Sequence, residues 1–370
     1  MHIVIAPDSF KGSASAIQVA EAMKRGVQEI DPSITVDLLP MADGGEGTEE
    51  ALAVALEGKT VSVSTCDALR RKIDTTFTVI HDDTAVIECA KCIGLPMLAE
   101  RERNPMKASS YGLGVVVREA LAIGYRKFII GLGGSAVNDG GIGLLTALGY
   151  TFTDAKGNEL EGNGRDLFQV AAVDSSSRDE RLSEATFIIA NDVTNPLCGK
   201  EGATAIYGPQ KGVKEEDITR FDEALARYAK LFEKREADEP GAGAAGGLGF
   251  AFLQLGGTMQ PGAQLIAKES ELLKRIRRAD LVLTGEGQSD EQTLFGKAPY
   301  VVAQFAREQR VPTVLLSGSV TGNTDALREV FAGVFSTVMQ PMSLSDAMEN
   351  AEQSIVEMTK NIIHFYRHSI

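Results

Sequence analysis

At 370 residues the chain exceeds what one hydrophobic core comfortably serves, so two domains are the expectation. Its net charge of −14 argues against extended contact with nucleic acid or an anionic membrane, so an anionic substrate needs a locally basic site on an acidic body. With no apolar run near the roughly 20 residues of a membrane span, no charged leader before the first strand and only four cysteines, a cytoplasmic location is expected.

Residues 2–6 read as a short apolar strand, and 14–30 repeats its apolar positions at helical spacing. A strand over 35–39 and a helix over 46–56 complete an opening βαβα pattern, which predicts a parallel sheet with loops at its carboxyl ends. The character then changes. Segments 61–63, 75–80 and 85–88 are β-branched, closely spaced and joined by polar turns such as His81-Asp82-Asp83. This predicts antiparallel pairing and a second domain beginning near residue 59.

A helix over 110–123, a strand over 127–131 and a strand over 186–190 follow. Residues 215–236 predict the longest uninterrupted helix, heavily charged and solvent-facing, to which no chemistry is assigned. From Asp280 the βα rhythm returns: strand 281–283, helix 297–308, strand 313–316, helix 324–331, strand 333–338 and a long amphipathic segment over 344–366. The simplest assembly is two α/β domains. A Rossmann-like parallel-sheet domain, 1–58 and 277–370, is interrupted by an inserted mixed-sheet domain, 59–276.

The densest loop, 131–143, follows an apolar strand and opens an amphipathic segment. Gly133, Gly134 and Ser135 suit close backbone approach to an anion, while Asn138 and Asp139 suit a cation or a reacting hydroxyl. Three more loops lie at strand ends: 7–13 with Asp8, Ser9 and Lys11; 40–48 with Asp43 and Glu46; and 283–299 with Glu286, Asp290 and Lys297. Singly, each is as well explained by helix capping; sharing one sheet edge shifts the balance to a site. Gly296-Lys297 lacks the spacing and the Ser/Thr of a Walker A loop. Asn191-Asp192 ends a strand, and Lys211 follows Gly-Pro-Gln in a turn-forming stretch before a helix. A second glycine cluster spans 241–249.

Cys89-Ala90-Lys91-Cys92 has no second pair at zinc-ribbon spacing, and histidines 2, 81, 364 and 368 are scattered, so neither a metal centre nor a Ser-His-Asp site is expected. A nicotinamide dinucleotide enzyme is the alternative: Gly131-x-Gly133-x-x-Ala136 follows a strand and Asp154 lies about 20 residues on, as that fingerprint requires. Against it, Asp139 would stand beside the pyrophosphate, and the other acid-and-lysine loops go unexplained. Phosphoryl transfer from a magnesium nucleotide to a small hydroxylated acceptor accounts for all the loops, since it needs lysines on phosphates and carboxylates on Mg²⁺ or the accepting hydroxyl.

With these motifs assembled, the chain closely resembles the bacterial type-1 glycerate kinases. The shared segments are PDSFKGS (7–13), ADGGEGT (42–48), GLGGSAVNDGG (131–141), NPL (195–197), GPQKG (208–212), PGAGAAGGLG (240–249) and LTGEGQSDEQTLFGKAP (283–299). The resemblance implies ATP-dependent phosphorylation of D-glycerate with Mg²⁺ in the cytoplasm, the 2-hydroxyl favoured over the 3-hydroxyl, at a site in the cleft between the two domains. An NAD-dependent 2-hydroxy-acid dehydrogenase is the other class kept in view, and a homodimer is the candidate assembly. Lys11, Lys211 and Lys297 are then the expected phosphate or carboxylate binders, joined by Asp8, Ser9, Gly133, Gly134, Ser135 and Asn138. Asp43, Glu46, Glu286 and Asp290 are expected on metal or hydroxyls, and Asp139 and Asp192 are both candidate bases. The chain departs from the family pattern at Val137, at Gln288, where arginine is usual, and over Cys89–Leu95.

Overall fold

The computed structural model describes residues 1–233 and 236–369. Its strands are β1 (His2–Ile5), β2 (Thr35–Leu38), β3 (Lys59–Cys66), β4 (Lys72–Ile80), β5 (Thr84–Glu88), β6 (Lys127–Gly131) and β7 (Thr151–Asp154), then β8 (Val170–Asp174), β9 (Thr186–Ala190), β10 (Thr258–Gln260), β11 (Leu281–Ser289), β12 (Thr313–Val320) and β13 (Gly333–Ser336). The chain divides into two compact units. One comprises Met1–Asp43, Glu50–Gly58 and the chain from Ala263 onward; the other comprises Gly44–Glu49 and Lys59–Gly262.

The first unit holds a parallel five-stranded sheet in the order β13-β12-β11-β1-β2. Ile3, Val4 and Ile5 are all 0% exposed, which is the signature of a strand covered on both faces. Helix Ala16–Ile30 starts where Ser15 and Gln18 form a capping box, and it buries Val19, Met23 and Val27. Each of these side chains contributes about 1.5–3 kcal/mol by leaving water. Helix Ala351–Ser369 adds Ile355, Val356, Ile362 and Ile363 to the same core. Gly26 lets these two helices meet, since a Cβ there would lie 2.7 Å from the Val356 carbonyl oxygen.

The second unit holds a six-stranded sheet in the order β10-β9-β6-β5-β4-β3. β3, β4 and β5 pair antiparallel, as their close spacing and polar turns predict, while β5, β6, β9 and β10 run parallel. The sheet is therefore mixed. Phe128 and Phe187 stack at 4.9 Å between centroids across β6 and β9, against Phe252 at 5.6 Å. A small antiparallel pair, β7 and β8, escaped the sequence reading.

Several elements differ from expectation. The helix expected over 215–236 is Ile218–Ala229, 12 residues after a short 3-10 turn, and beyond it Phe232 sets its ring 5.3 Å from Tyr228. Residues 234 and 235 lie outside the described residues. The longest helix is Ala351–Ser369, with 19 residues, and Asn350 separates it from Leu344–Glu349 in the segment read as continuous. Helices Gly262–Glu269 and Leu272–Ile276, expected in the inserted part, cluster with the first unit, where Leu272–Ile276 lies against Ala298–Glu308. β11 runs on to Ser289 through residues read as a loop. Among the described residues, no helix is long and apolar enough to cross a membrane.

Candidate active site

In the first unit, the loops after β1, β2 and β11 are stitched by backbone. Asp8 N donates to Gly285 O and Met41 N to Pro7 O, both at 2.8 Å. β1 pairs with β11 only as far as Leu283, so Glu286 rides on the overhang of β11, beside β12. Gly287 permits this closeness, since a Cβ there would lie 3.3 Å from Lys11 N and from Phe10 Cα. Lys11 Nζ sits 3.4 Å from Asp43 Oδ2, and Asp43 is the main reason the Lys11 ammonium titrates above its ordinary value. Asp8 is pushed up to about 7, chiefly by burial and then by the negative charge of Asp43. Glu286 also opposes its ionisation, while Ser9 N donates to its Oδ1 at 2.6 Å.

Glu286 is buried and fully dressed. Its Oε1 accepts from Ser289 Oγ at 2.9 Å and Thr293 Oγ1 at 2.6 Å, and its Oε2 lies 3.2 Å from Lys297 Nζ. Asp290 is turned to capping: its Oδ1 accepts from Gln292 N at the start of the 3-10 turn Glu291–Leu294. Asp8, Lys11, Asp43, Glu286 and Lys297 thus form one acid-and-lysine group at the carboxyl edge of a parallel sheet, the place where such folds bind ligands.

In the second unit, loop 131–143 is built by partners distant in sequence. Asp139 is 0% exposed. Its Oδ2 accepts from Ser110 N at 2.7 Å, Ser110 Oγ at 2.8 Å and Gly143 N at 3.4 Å, and its Oδ1 from Gly141 N at 3.1 Å. It therefore ties together the starts of helices Tyr111–Ile123 and Ile142–Ala147. Burial raises its carboxyl above the ordinary range, and those donors pull against the rise. Asn138 Nδ2 donates to Thr204 Oγ1 at 2.9 Å, while its Oδ1 is buried without a hydrogen-bond partner among the described residues. The second glycine cluster supports this loop from below. Ala245, Gly246 and Gly247 hold positive φ of 53°, 71° and 93°, and Gly140 N donates to Gly246 O at 2.9 Å.

Lys211, expected at a phosphate, is only 2% exposed. Its Nζ donates to Ser135 Oγ at 3.0 Å and to Val137 O at 2.7 Å. Ser135 is thus the acceptor of that bond, which leaves its own hydroxyl hydrogen to point elsewhere. Burial lowers the Lys211 ammonium to about 8 from 10.5, with Cys89 and Asp139 pulling the other way. The folded chain therefore sheds this proton first: the burial cost is present in full below about 8 and lifts as pH rises toward 10.5. We expect the stability of the wild type relative to Lys211→Met to rise between about pH 7 and about pH 10, read by thermal melts.

Asp192 stands just past β9, solvent-exposed, with Gly262 N donating to its Oδ1 at 2.9 Å. Glu46 is exposed on the segment Gly44–Glu49 of the second unit. Glu88, Glu49, Lys91, Ser110 and Thr204 were not singled out from the sequence; only Glu88 left a signal, as an acid ending an apolar strand. Both thiols of Cys89 and Cys92 are buried and pushed up by that burial, Cys92 to about 12, so neither is a ready nucleophile. Asp154, the acid of the dinucleotide alternative, sits on β7 of the two-stranded sheet and caps the turn to Asn158. A dinucleotide fold needs that acid on the parallel strand beside the glycine loop, so the alternative loses its ribose partner.

Glycine-rich and acid-and-lysine loops at the carboxyl edges of α/β sheets suit the chemistry of small-molecule phosphotransferases. Residues 3–367 match the model of the glycerate kinase family. The chain is 38% identical to glycerate kinase of Haemophilus influenzae, covering 98% of each protein, and 38% identical to glycerate 2-kinase of Escherichia coli K12, covering 98% of this chain and 97% of that one. A solved structure assigned as a candidate glycerate kinase 2 from Salmonella typhimurium LT2 superposes with a TM-score of 0.89 at 40% identity, over 100% of this chain and 99% of that one. The chain belongs to the glycerate kinase family.

Proposed function

We propose that this kinase transfers the γ-phosphate of ATP to the 2-hydroxyl of D-glycerate in the cytoplasm, with Mg²⁺ as its metal. The observation that carries the reading is the group of two lysines and three carboxylates formed by Asp8, Lys11, Asp43, Glu286 and Lys297. Family membership supports the acceptor, and the Escherichia coli relative's name, glycerate 2-kinase, supports the 2-position.

Among the described residues, no three His, Cys, Asp or Glu side chains converge to hold an ion unaided. That suits Mg²⁺, which takes one or two carboxylates and completes its shell with phosphate oxygens and water. Asp8 and Asp43 would hold it, and the bound ion supplies neutralisation of phosphate charge. Burial and then the charge of Asp43 raise the Asp8 carboxyl, and a cation relieves the repulsion between the two acids. In this reading Lys11 and Lys297 bind phosphate oxygens, and Glu286 positions Lys297. Gly133, Gly134 and Ser135 offer N–H and O–H donors to the acceptor. Asp192, the more exposed of the two candidate bases, orients the accepting hydroxyl, while Asp139 holds the loop.

ADP release with and without D-glycerate tests the reaction. Phosphorus NMR of the product tests the position: a phosphate on the 2-oxygen couples to one carbon-bound proton, and one on the 3-oxygen to two. Release of ADP no faster with D-glycerate sinks the first claim, and coupling to two protons sinks the second.

A further inference from the structure

We infer that Glu88 is a positioning residue, whose buried carboxylate seats the loop 44–49 on the carboxyl ends of β6 and β9. Glu88 is the last residue of β5 and pairs in register with Gly131, which pairs in turn with Ala190 of β9. Its Oε1 and Oε2 accept from Gly47 N at 3.1 and 3.2 Å, and Oε2 also accepts from Glu49 N at 3.3 Å. The loop thereby lies flat on both strand ends. A Cβ on Gly44 would come within 2.8 Å of the Ala190 carbonyl carbon, and one on Gly133 would run into Gly45 Cα. Only glycines allow this approach.

A second bracket fixes the end of the loop. Glu49 is 1% exposed, and its Oε1 accepts from Lys91 Nζ at 2.9 Å and Thr78 Oγ1 at 3.0 Å. The charged groups facing Glu88 are Glu49 and Lys91.

Stability does not account for the Glu88 carboxyl. Burial is the largest influence on it and lifts it to about 7, against the pull of the Gly47 and Glu49 amides. An uncharged acceptor of the same shape would sit there at lower cost. What the carboxylate does supply is two-point capture of backbone N–H groups on the segment that carries Glu46. A loop left to drift by about 1 Å loses catalytic geometry on the order of 100-fold.

The inference rests on the kinase reading for its activity arm, and wild-type turnover separates the two. If the wild type forms no ADP with D-glycerate, the functional reading fails, and Glu88 is judged by hydrogen exchange alone. With an active wild type, Glu88→Ala is expected to lower kcat about 100-fold. Glu88→Gln keeps one acceptor and is expected to lower kcat about tenfold while its Tm equals or exceeds that of the wild type. A merely structural Glu88 would move Tm and kcat together. Amides in 44–49 should exchange faster in Glu88→Gln, with the β6 and β9 amides unchanged. Wild-type kcat in Glu88→Gln, or unchanged exchange over 44–49, overturns the assignment; should Glu88→Ala fail to fold, the glutamine variant decides.

Discussion

Asp139→Ala is expected to cost about 3–5 kcal/mol of folding stability, measured by urea unfolding at constant m-value. The magnitude follows from what the substitution strands. Ser110 N, Ser110 Oγ, Gly141 N and Gly143 N all donate to this one carboxylate, and it is 0% exposed. The site is enclosed, so each donor left without a partner bears a desolvation cost. Ser110 Oγ also accepts from Leu144 N at 2.8 Å, so loss of Asp139 loosens a second bond at the start of helix Ile142–Ala147. Asp139→Asn should cost less, because its remaining oxygen can still accept from Ser110 N, Ser110 Oγ and Gly143 N while its NH2 group faces Gly141 N. A loss below about 1 kcal/mol in Asp139→Ala would show that the carboxylate is not what holds the loop.

The parallel sheet was legible because its strands are short, uninterrupted apolar runs and its loops carry the glycines and acids. Ile3, Val4 and Ile5 announce a strand covered on both faces, and the close-spaced β-branched segments of 60–88 with their polar turns announce antiparallel pairing. Helix ends were less legible because they depend on tertiary contacts. Residues 230–236 contain no Gly or Pro to mark that helix Ile218–Ala229 ends before them. The far ends of the strands were also hidden. Glycines at 285 and 287 read as a loop, yet there they let β11 lie close to Leu316 and Phe10 while keeping strand geometry to Ser289.

The candidate site divides the same way. Residue types at strand ends put Asp8, Lys11, Asp43, Glu286 and Lys297 on one edge, since strand order alone fixes which loops share it. Roles were less accessible. Asp139 and Lys211 looked like exposed chemistry because they sit in glycine loops, and sequence distance hides Ser110 from one and Ser135 from the other. Both are buried in this structure, with bonds that hold the loop: Asp139 to Ser110, and Lys211 to Ser135 and Val137. Asp290 shows the same ambiguity decided by a local bond, its capping of Gln292 N.

Asp192→Asn is expected to lower kcat by about 10²–10⁴-fold, the usual contribution of a positioned acid or base, with little change in Tm. The contrast with Asp139 makes the prediction sharp. Both acids follow parallel strands paired in register at Gly131 and Ala190, but Asp192 is exposed where Asp139 is enclosed. Phosphoryl transfer needs an acid able to reach the accepting hydroxyl, and a carboxylate sealed by four donors cannot turn toward a substrate. Asparagine keeps an oxygen for the bond from Gly262 N, so the start of helix Gly262–Glu269 should survive the exchange. It has no carboxylate to take a proton, so the step that depends on one should slow. Single-turnover measurement of ADP formation isolates that step from product release. If Asp192→Asn keeps kcat within about tenfold of the wild type while Asp139→Asn folds and loses turnover, the base belongs to the buried acid and Asp192 serves only to cap the helix.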